Sequence, residues 1–405
     1  MNHEEDPPGR RLILLLLQRF EAQLRKLVGQ TQIAAATIAG LRSIIVPSSV
    51  LYGFRVPLRG LAPMVGASEL AYRMLTREAG SATATWSPMI DASGYARSEQ
   101  YRAEHTFDDR DAPCVAQLGG RSPEDVEVAA ELLATRHRSI RAVELNVGCP
   151  QRCARLGRYG AFLLSEPNHL VALVRALDLG VRRSGRLDVV AAVKIRVYRD
   201  NYAKTVALVD RLVDAGARLV TVHGRARQQR DCDSADWEII RRIKQGLRGK
   251  SVLLVANGDV RDLAAMRRCL SYTRADGVMA ARALLRDPAC LSRDKSRRPI
   301  DHARLYLSFV RDVGAPPPAV RRHLAAMLER EFRRVPQCRK PIMAFRGAVQ
   351  SGKHGLVDDD SALEALFRAL DNLATARSGS LCCSKNSLPT LLFSDEKQPC
   401  PESML

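Results

Sequence analysis

The sequence predicts an α/β fold, a (β/α)8 TIM barrel followed by a smaller all-helical domain. Three observations lead to this prediction. Eight short β-rich runs lie between residues 58 and 285, segments of helical periodicity separate them, and the strand signals stop after residue 290. Eight such units in about 240 residues fit a closed barrel better than an open doubly wound sheet, which usually has fewer strands and a single glycine-rich turn.

Each run is rich in β-branched and other apolar residues, and the segments between runs have the spacing of amphipathic helices. One such segment, “YAKTVALVDRLVDAGA”, ends around Gly216 just before the sixth run, as expected when a glycine stops a helix. In chain order, the predicted strands are residues 58–66, 83–90, 113–120, 142–148, 188–197, 218–225, 251–260 and 276–285.

The chain divides into four predicted regions. Residues 1–54 form an N-terminal extension, helical or partly disordered, and residues 55–290 form the barrel. Residues 291–378 alternate apolar and basic positions at helical spacing, which predicts a basic helical domain. Residues 379–405 combine Ser, Pro and Cys without periodicity, which predicts a disordered tail. Cys382 and Cys383 in this tail could form a lipidation site, but we favour the interpretation that they have no such role.

The charge points to a polyanionic partner. The 405 residues carry a formal net charge of +19, and residues 291–346 contain 14 Lys or Arg against 5 Asp or Glu. Such a surplus favours nucleic acid or an anionic membrane surface, although solvated surface arginines are the alternative. A composition of 46% apolar residues excludes global disorder.

The cysteines and the N-terminal residues bear on the cellular compartment. Ten cysteines are scattered without paired C-x-x-C elements, which fits a reducing compartment and predicts no metal site. No run of about 18 apolar residues appears, so no membrane span is expected. The short apolar run “LILLLL” follows the acidic “HEED”, which argues against a secretory or mitochondrial signal. We expect a cytoplasmic or nuclear monomer, with mitochondrial import as the alternative.

Most of the predicted strands have polar residues at or just after their carboxyl ends. Because the carboxyl ends of barrel strands meet at one mouth, where barrel active sites are assembled, these side chains predict a shared pocket. They are Pro63 with Met64, Gln117, Asn146 with Cys149, Lys194 with Arg196, His223 with Arg225, Asn257 with Gly258 and Asp259, and Ala281 with Arg282.

Lys194 indicates a ligand, because an ammonium at the end of an apolar strand is costly to bury without an anion or a polar ring beside it. A flavin fits, since a cation near its N1–C2=O edge stabilises the reduced ring. Gln117 and Asn146 can hydrogen-bond ring edges, while His223 and Arg225 can orient a second substrate or meet negative charge. The turns after the last two strands predict a phosphate site.

Cys149 stands in “GCPQRCARLGRYGAFLL” with Cys153 four residues later. Two thiols make a weak metal site, because Leu156 stands where an iron–sulfur motif would need a third cysteine. A structural disulfide is unfavourable in a reducing compartment. A buried thiol or a general acid remain as interpretations.

Several ordered motifs resemble those of the tRNA-dihydrouridine synthases. They include “APMVG”, “LNVGCPQRCARLGRYGAFLL”, “VKIRV”, “VTVHGRARQQ”, “VANGDV” and “DGVMAARALL”, and the resemblance covers roughly residues 55–345. The cysteine motif is most similar to the eukaryotic branch that acts at positions 16 and 17 of the D-loop. The resemblance implies a barrel that binds FMN and reduces the C5=C6 bond of uridines in tRNA with NADPH or NADH.

Residue by residue, the resemblance implies that Cys149 protonates C5 after hydride reaches C6. Asn146 and Arg196 would lie near the flavin and the uracil. Two positions depart from the family. Cys153 stands where the family commonly has an apolar residue, and we favour a packing role for it over a reversible disulfide with Cys149. Arg282 stands where the nearest relatives tend to have Glu. The residues implied to hold FMN are Pro63, Met64, Val65, Gln117, Lys194, His223, Asn257, Gly258 and Asp259, with Ala281 and Arg282 at its phosphate.

Two other functions remain open from the sequence. An FMN barrel acting on a small molecule, similar to a dihydroorotate dehydrogenase, would explain Lys194 but not the basic helical domain. An inactive RNA-binding paralogue would explain the charge, although Cys149, Lys194 and His223 are all present.

Overall fold

The computed structural model of the protein describes residues 50–230, 232–345 and 360–377. Residues 1–49 of the predicted N-terminal extension and the whole predicted tail, with Cys382 and Cys383, lie outside the described residues. The predictions for those segments therefore stay predictions.

Eight parallel strands close into a barrel, which confirms the predicted fold class. Each strand pairs with the next along the chain, and the last strand pairs back to the first. The second strand is broken, since its first part, Ala84–Trp86, pairs with the start of the third strand and its second part, Ile90–Asp91, pairs with the end of that strand. A short antiparallel hairpin, β1 Val50–Leu51 and β2 Phe54–Arg55, precedes the barrel. The barrel strands are β3 Leu58–Leu61, β4 Ala84–Trp86, β5 Ile90–Asp91, β6 Cys114–Gly119, β7 Ile140–Val147, β8 Val190–Val197, β9 Leu219–Ala226, β10 Leu253–Asn257 and β11 Gly277–Ala280.

The helices of the barrel begin at side chains that accept hydrogen bonds from free backbone N–H groups. Ser122 caps the helix that begins at Pro123, and Asn201 and Asp262 cap two later helices in the same way. Gly216, at φ +123°, follows the end of the helix at Asp214, as predicted. The helices are α1 Leu70–Glu78, α2 Ala92–Arg97, α3 Glu99–Ala103, α4 Pro123–Arg136, α5 Arg152–Leu156, α6 Pro167–Arg183, α7 Tyr202–Asp214, α8 Trp237–Gly246, α9 Leu263–Thr273 and α10 Arg282–Arg286, with 3-10 turns at Asp109–Asp111 and Gly160–Ser165.

Further helices follow the barrel and pack on α1. The Glu69 carboxylate, just before α1, accepts hydrogen bonds from Tyr306 Oη at 2.8 Å and lies 3.0 Å from His323 Nε2. The His323 ring stacks on Tyr72 of α1 with centroids 3.7 Å apart. One hydrophobic cluster accordingly includes side chains of both parts. These helices are α11 Pro299–Val313, α12 Pro317–Met327, α13 Glu329–Arg334, α14 Arg339–Met343 and α15 Asp360–Arg377, with a 3-10 turn at Pro336–Cys338.

The barrel interior is a packed core. Leu58, Trp86, Leu219 and Met279 belong to one fully buried apolar cluster inside it. Gly60 makes room for the indole, because a Cβ there would lie 2.8 Å from a Trp86 ring carbon. No helix in the described ranges is long and apolar enough to cross a membrane. The interior packing leaves the open carboxyl end of the barrel as the place where polar side chains gather.

A buried ion cluster ties α1 to the barrel wall. The fully buried carboxylate of Asp111 pairs with Arg73 Nε and with Arg77 Nε, each at 2.7 Å, and accepts from Thr85 Oγ1 at 2.7 Å. Arg77 also donates to the carbonyl oxygen of Pro113 at 2.6 Å. One buried carboxylate therefore pairs with two guanidinium groups.

Asp111→Asn is expected to lower the free energy of unfolding by about 3 kcal/mol or more, because it leaves two buried cations without a counter-charge. Urea denaturation followed by circular dichroism measures this. Asp312→Asn is the matched control, since the pair of Asp312 with Arg110 is partly exposed and its loss should shift the midpoint far less. Equal midpoints for the two variants would contradict the role of Asp111.

Candidate active site at the barrel mouth

The strand register brings the predicted polar residues together at the carboxyl end of the barrel. Asn146 of β7 pairs with Lys194 of β8, and Arg196 of β8 pairs with His223 of β9. His223 pairs in turn with Asn257 of β10. Side chains from neighbouring strands therefore face the same mouth, as expected for a parallel barrel.

The loop that carries Cys149 is held from both sides. Asn146 Oδ1 accepts the backbone N–H groups of Gly148 at 2.9 Å and of Cys149 at 3.0 Å. Arg196 Nε donates to the Gly148 carbonyl at 2.9 Å, and the Ala161 N–H donates to the Cys149 carbonyl at 3.0 Å. The half-buried thiol consequently has a fixed position at the mouth.

Burial raises the pKa of the Cys149 thiol, and the positive charges of Arg196 and Lys194 oppose this shift without cancelling it. The thiol is therefore protonated at neutral pH. A protonated thiol is a poor nucleophile and a possible proton donor.

Glu144 is a site residue that the sequence analysis missed. Its carboxylate accepts from Gln117 Nε2 at 2.8 Å and from Thr221 Oγ1 at 3.2 Å, and Gln117 Oε1 accepts from Asn146 Nδ2 at 2.9 Å. Burial raises the pKa of Glu144, against the hydrogen bond from Gln117. A carboxylate inside the apolar run “AVELNVG” was the available signal, since acidic groups are rarely buried without a partner.

The direction of this hydrogen-bond chain follows from the backbone. The loop N–H groups can only donate, so the oxygen of Asn146 must face them and its nitrogen must face Gln117. The oxygen of Gln117 is then used by Asn146, and its nitrogen points to Glu144. Glu144 thus orients two amides and, through them, the cysteine loop.

Lys194 is a buried cation with an available donor. Burial lowers the pKa of Lys194 to about 8, and the charge of Glu144 opposes the shift. Its ammonium forms no hydrogen bond to any residue in the described part of the chain, and a Cβ built on Gly148 would lie 3.7 Å from Nζ. A buried ammonium without a hydrogen-bond partner among the described residues fits the polar edge of a flat ring or an anion.

Arg225 lies beneath His223 rather than in the open mouth. Its guanidinium is 2% exposed, contacts His223 Nε2 at 3.1 Å and pairs with Asp259 Oδ1 at 2.6 Å. Asp259 Oδ2 accepts the Ala235 N–H at 2.6 Å. Both Arg225 and Asp259 are therefore engaged within the protein, and they position the imidazole.

His223 is a neutral imidazole. Burial lowers its pKa to about 2, and Lys194, Arg196 and Arg225 add their positive charges to the effect. Because a guanidinium can only donate, Nε2 accepts from Arg225 and the proton is assigned to Nδ1. The ring offers one N–H donor and no charge.

The chain packs closely against Ala235 at the end of β10. Gly258 has φ +115°, and a Cβ there would lie 2.6 Å from that of Ala235, so a larger residue does not fit. The Asn257 amide is buried and donates to the Met279 carbonyl at 3.0 Å. These contacts join β10 to β11 and to the loop before α8, at the corner where a phosphate site is predicted.

The loop after β3 is more open. The backbone N–H of Met64 donates to Ser68 Oγ at 3.0 Å, while Pro63 and Met64 are half-buried. Val65 is 69% exposed, and its carbonyl accepts from Arg322 of α12 at 3.3 Å. The helical part of the protein therefore touches a loop that is predicted to contact a cofactor.

The remaining predicted residues lie nearer the rim. Ala281 follows β11 and is half-buried, while Arg282, the first residue of α10, is exposed. Cys153 is exposed on α5. Among the described residues, no group of three His, Cys, Asp or Glu side chains is arranged to hold a metal ion.

A closed parallel barrel whose mouth holds a protonated thiol, a buried ammonium and a neutral imidazole has the architecture of a TIM-barrel enzyme. The model of the family described as “Dihydrouridine synthase (Dus)” matches residues 60–353, more than half of the chain. The protein belongs to this dihydrouridine synthase family.

Curated relatives agree with this assignment. A Mus musculus protein named “tRNA-dihydrouridine(16/17) synthase [NAD(P)(+)]-like” is 34% identical over 324 residues, covering 77% of this chain and 65% of that protein. A Rattus norvegicus protein of the same name is 37% identical over 269 residues, covering 65% and 58%. A Mus musculus protein named for positions 20a/20b is 33% identical over 270 residues, covering 66% and 79%. The chain spans about three fifths of the length of the two 16/17 relatives.

Among solved structures, morphinone reductase has a TM-score of 0.42 and 14% identity to the chain, covering 60% of this chain and 87% of that one. A similarity at this level adds nothing to the fold assignment, which rests on the closed eight-stranded barrel itself.

Cys149 is expected to react with iodoacetamide more slowly than Cys153 at neutral pH, because thiolate is the nucleophile and burial raises the pKa of Cys149. Its rate should keep rising as pH passes about 9, the ordinary thiol pKa. Mass spectrometry of the labelled peptide gives both rates from one sample, with exposed Cys153 as the internal control. Faster labelling of Cys149 at neutral pH would show that it is a thiolate.

Proposed function

We propose that the protein is a tRNA-dihydrouridine synthase that reduces the C5=C6 bond of D-loop uridines at positions 16 and 17, with FMN as cofactor and NADPH or NADH as reductant. The observation that carries the proposal is the protonated Cys149 thiol, fixed by Asn146 at the barrel mouth beside Lys194. Family membership and the names of the relatives support it.

The residues at the mouth fit a flavin. Lys194 offers an unused buried donor, and His223 offers a neutral one beside it. Bound here, FMN would supply the hydride that reduces the uracil ring, after accepting it from the nicotinamide. The residues that would hold it are Pro63, Met64, Val65, Gln117, Lys194, His223, Asn257, Gly258 and Asp259, with Ala281 and Arg282 near its phosphate.

Lys194 would donate to the polar edge of the ring. A negative charge there favours the ammonium, so binding would raise the pKa of Lys194 from about 8. His223 would donate its Nδ1–H without adding charge. The two side chains therefore offer one charged and one neutral donor to the same ligand.

Cys149 would donate its proton to C5 of the uracil. The raised pKa keeps the proton on sulfur until the ring carbon gains electron density. The thiolate that is left lies in the field of Arg196 and Lys194, which lower its energy. Asn146 and Arg196 hold the loop backbone, so the sulfur does not drift during transfer.

The substrate must be unstacked from folded RNA to reach this mouth, at a cost of a few kcal/mol. Contacts between cations and phosphates can offset that cost. The basic residues of the helical part are one source of such contacts.

We propose that the enzyme acts as a monomer. Its proposed location is the cytoplasm or nucleus, with mitochondria as the alternative.

Reconstitution tests the proposal. The protein mixed with FMN should become yellow, NADPH should bleach the flavin, and unmodified tRNA should restore its colour under anaerobic conditions. Mapping of dihydrouridine in the product should find it at positions 16 and 17. Dihydroorotate and orotate serve as small-molecule controls. A protein that binds no flavin, or whose reduced flavin is reoxidised by orotate but not by tRNA, would refute the proposal.

Cys149→Ala should lower the rate of dihydrouridine formation by about 10²- to 10⁴-fold, the range typical of a lost general acid, while flavin content and the Kd for tRNA stay near wild type. Single-turnover kinetics with pre-reduced flavin measure the step. Cys153→Ala is the matched control, because it removes an exposed thiol one turn away. Wild-type rates in Cys149→Ala would exclude it as the acid.

A further inference from the structure

A concave basic surface lies beside Cys149, on the loops that follow β7, β8 and β9. It consists of two adjoining cavities of about 410 and 220 Å3, which share Arg227 and Gln228. Pro150, the residue after Cys149, lines the larger one. We call this surface the basic groove and define it by its cations, which are Arg152, Arg155, Arg227, Arg199 and Lys204.

No acidic residue lines the basic groove in the described part of the chain. Arg199 pairs with Asp200 at 3.4 Å on the exposed surface, whereas Arg152, Arg155 and Arg227 have no carboxylate within 4.0 Å among the described residues. Five cations that converge on a concave surface repel one another, and a bound polyanion relieves that repulsion.

Two aromatic faces in the basic groove are already covered by cations. Arg227 lies over the ring of Phe162 at 4.6 Å, and Lys204 lies over the ring of Tyr198 at 4.3 Å. Each of these rings therefore already has a cation over one face, while the charged groups stay at the surface. This arrangement suits a sugar–phosphate backbone better than splayed bases.

The basic groove lies across the mouth from the helical part of the protein. The strand order around the barrel puts β8 opposite β3, and the helical part contacts the β3 side through Glu69 and through Arg322, which donates to the Val65 carbonyl. Cys149 and Lys194 belong to the groove side of the mouth, on or just after β7 and β8. A strand that enters the mouth can therefore be held on both flanks.

We propose that the basic groove binds backbone phosphates of the RNA strand that carries the target uridine, next to the nucleotide that enters the active site. This inference rests on the proposed function, since it assigns a second contact surface for the same substrate. The cations extend over three loops and two cavities, which is more than the single 2′-phosphate of a dinucleotide needs. Arg152 and Arg155, three apart on α5, can face neighbouring phosphates of one strand.

The test compares two charge-removing variants, Arg152→Gln/Arg155→Gln and Arg199→Gln/Lys204→Gln. Each should raise the Kd for unmodified tRNA about tenfold and reduce the slope of log Kd against log salt by about 1.4, at about 0.7 for each lost single-strand phosphate contact. Arg267→Gln/Arg268→Gln is the matched control, because it removes the same charge from exposed positions on α9. Fluorescence anisotropy over a salt series gives both quantities, and melting temperatures check folding.

Wild-type Kd and slope in both groove variants, or losses equal to those of the α9 control, would overturn the proposal. A raised KM for NADPH with unchanged tRNA binding would also overturn it, because the groove would then bind the dinucleotide. Failure of the proposed function gives a different result. In that case the wild-type protein would form no dihydrouridine, but a raised Kd for tRNA in the groove variants would still show that the groove binds RNA.

Discussion

The rest of the site depends on the hydrogen bonds that Asn146 gives and receives. Its oxygen holds the two N–H groups of the cysteine loop, and its nitrogen is held through Gln117 by the buried carboxylate of Glu144. Two neighbouring strands, β6 and β7, thereby fix one loop that has no regular structure of its own. Without that connection, the loop would keep only the hydrogen bonds to its carbonyl oxygens from Arg196 and from the Ala161 N–H.

Burial is the largest effect on the pKa of each group at the mouth, and neighbouring charges oppose it at Cys149, Glu144 and Lys194 but reinforce it at His223. It raises the pKa of Cys149 and Glu144, and it lowers the pKa of Lys194 to about 8 and of His223 to about 2. The same dry environment thus keeps a thiol protonated and an imidazole neutral. A proton donor and a neutral hydrogen-bond donor are therefore both available in the resting site.

The sequence predicted the eight barrel strands, because β-rich runs separated by helical periodicity identify parallel strands locally. It also predicted the polar residues at the strand ends, and the structure brings most of them to one mouth. The family prediction is confirmed by the match over residues 60–353. The roles assigned to individual residues remain predictions.

Contacts between distant residues could not be predicted in this way. The break of the second strand into β4 and β5, the pairing of Arg225 with Asp259 and the role of Glu144 all depend on tertiary packing. Periodicity reports which face of an element is buried, but it does not report which partner a buried polar group meets. Glu144 was visible as an anomaly in an apolar run, yet its partners lie 27 and 77 residues away.

The contact of Glu69 with Tyr306 and His323 has a consequence for protein engineering. The carboxylate belongs to the barrel, the two partners belong to the helices that follow it, and Tyr72 completes the stack from the barrel side. A chimaera that exchanges the helical part between relatives at residue 290 would divide this joint. Such an exchange has to carry position 69 and the face of α1 that packs on these helices with it, so the transferable unit is discontinuous in the chain.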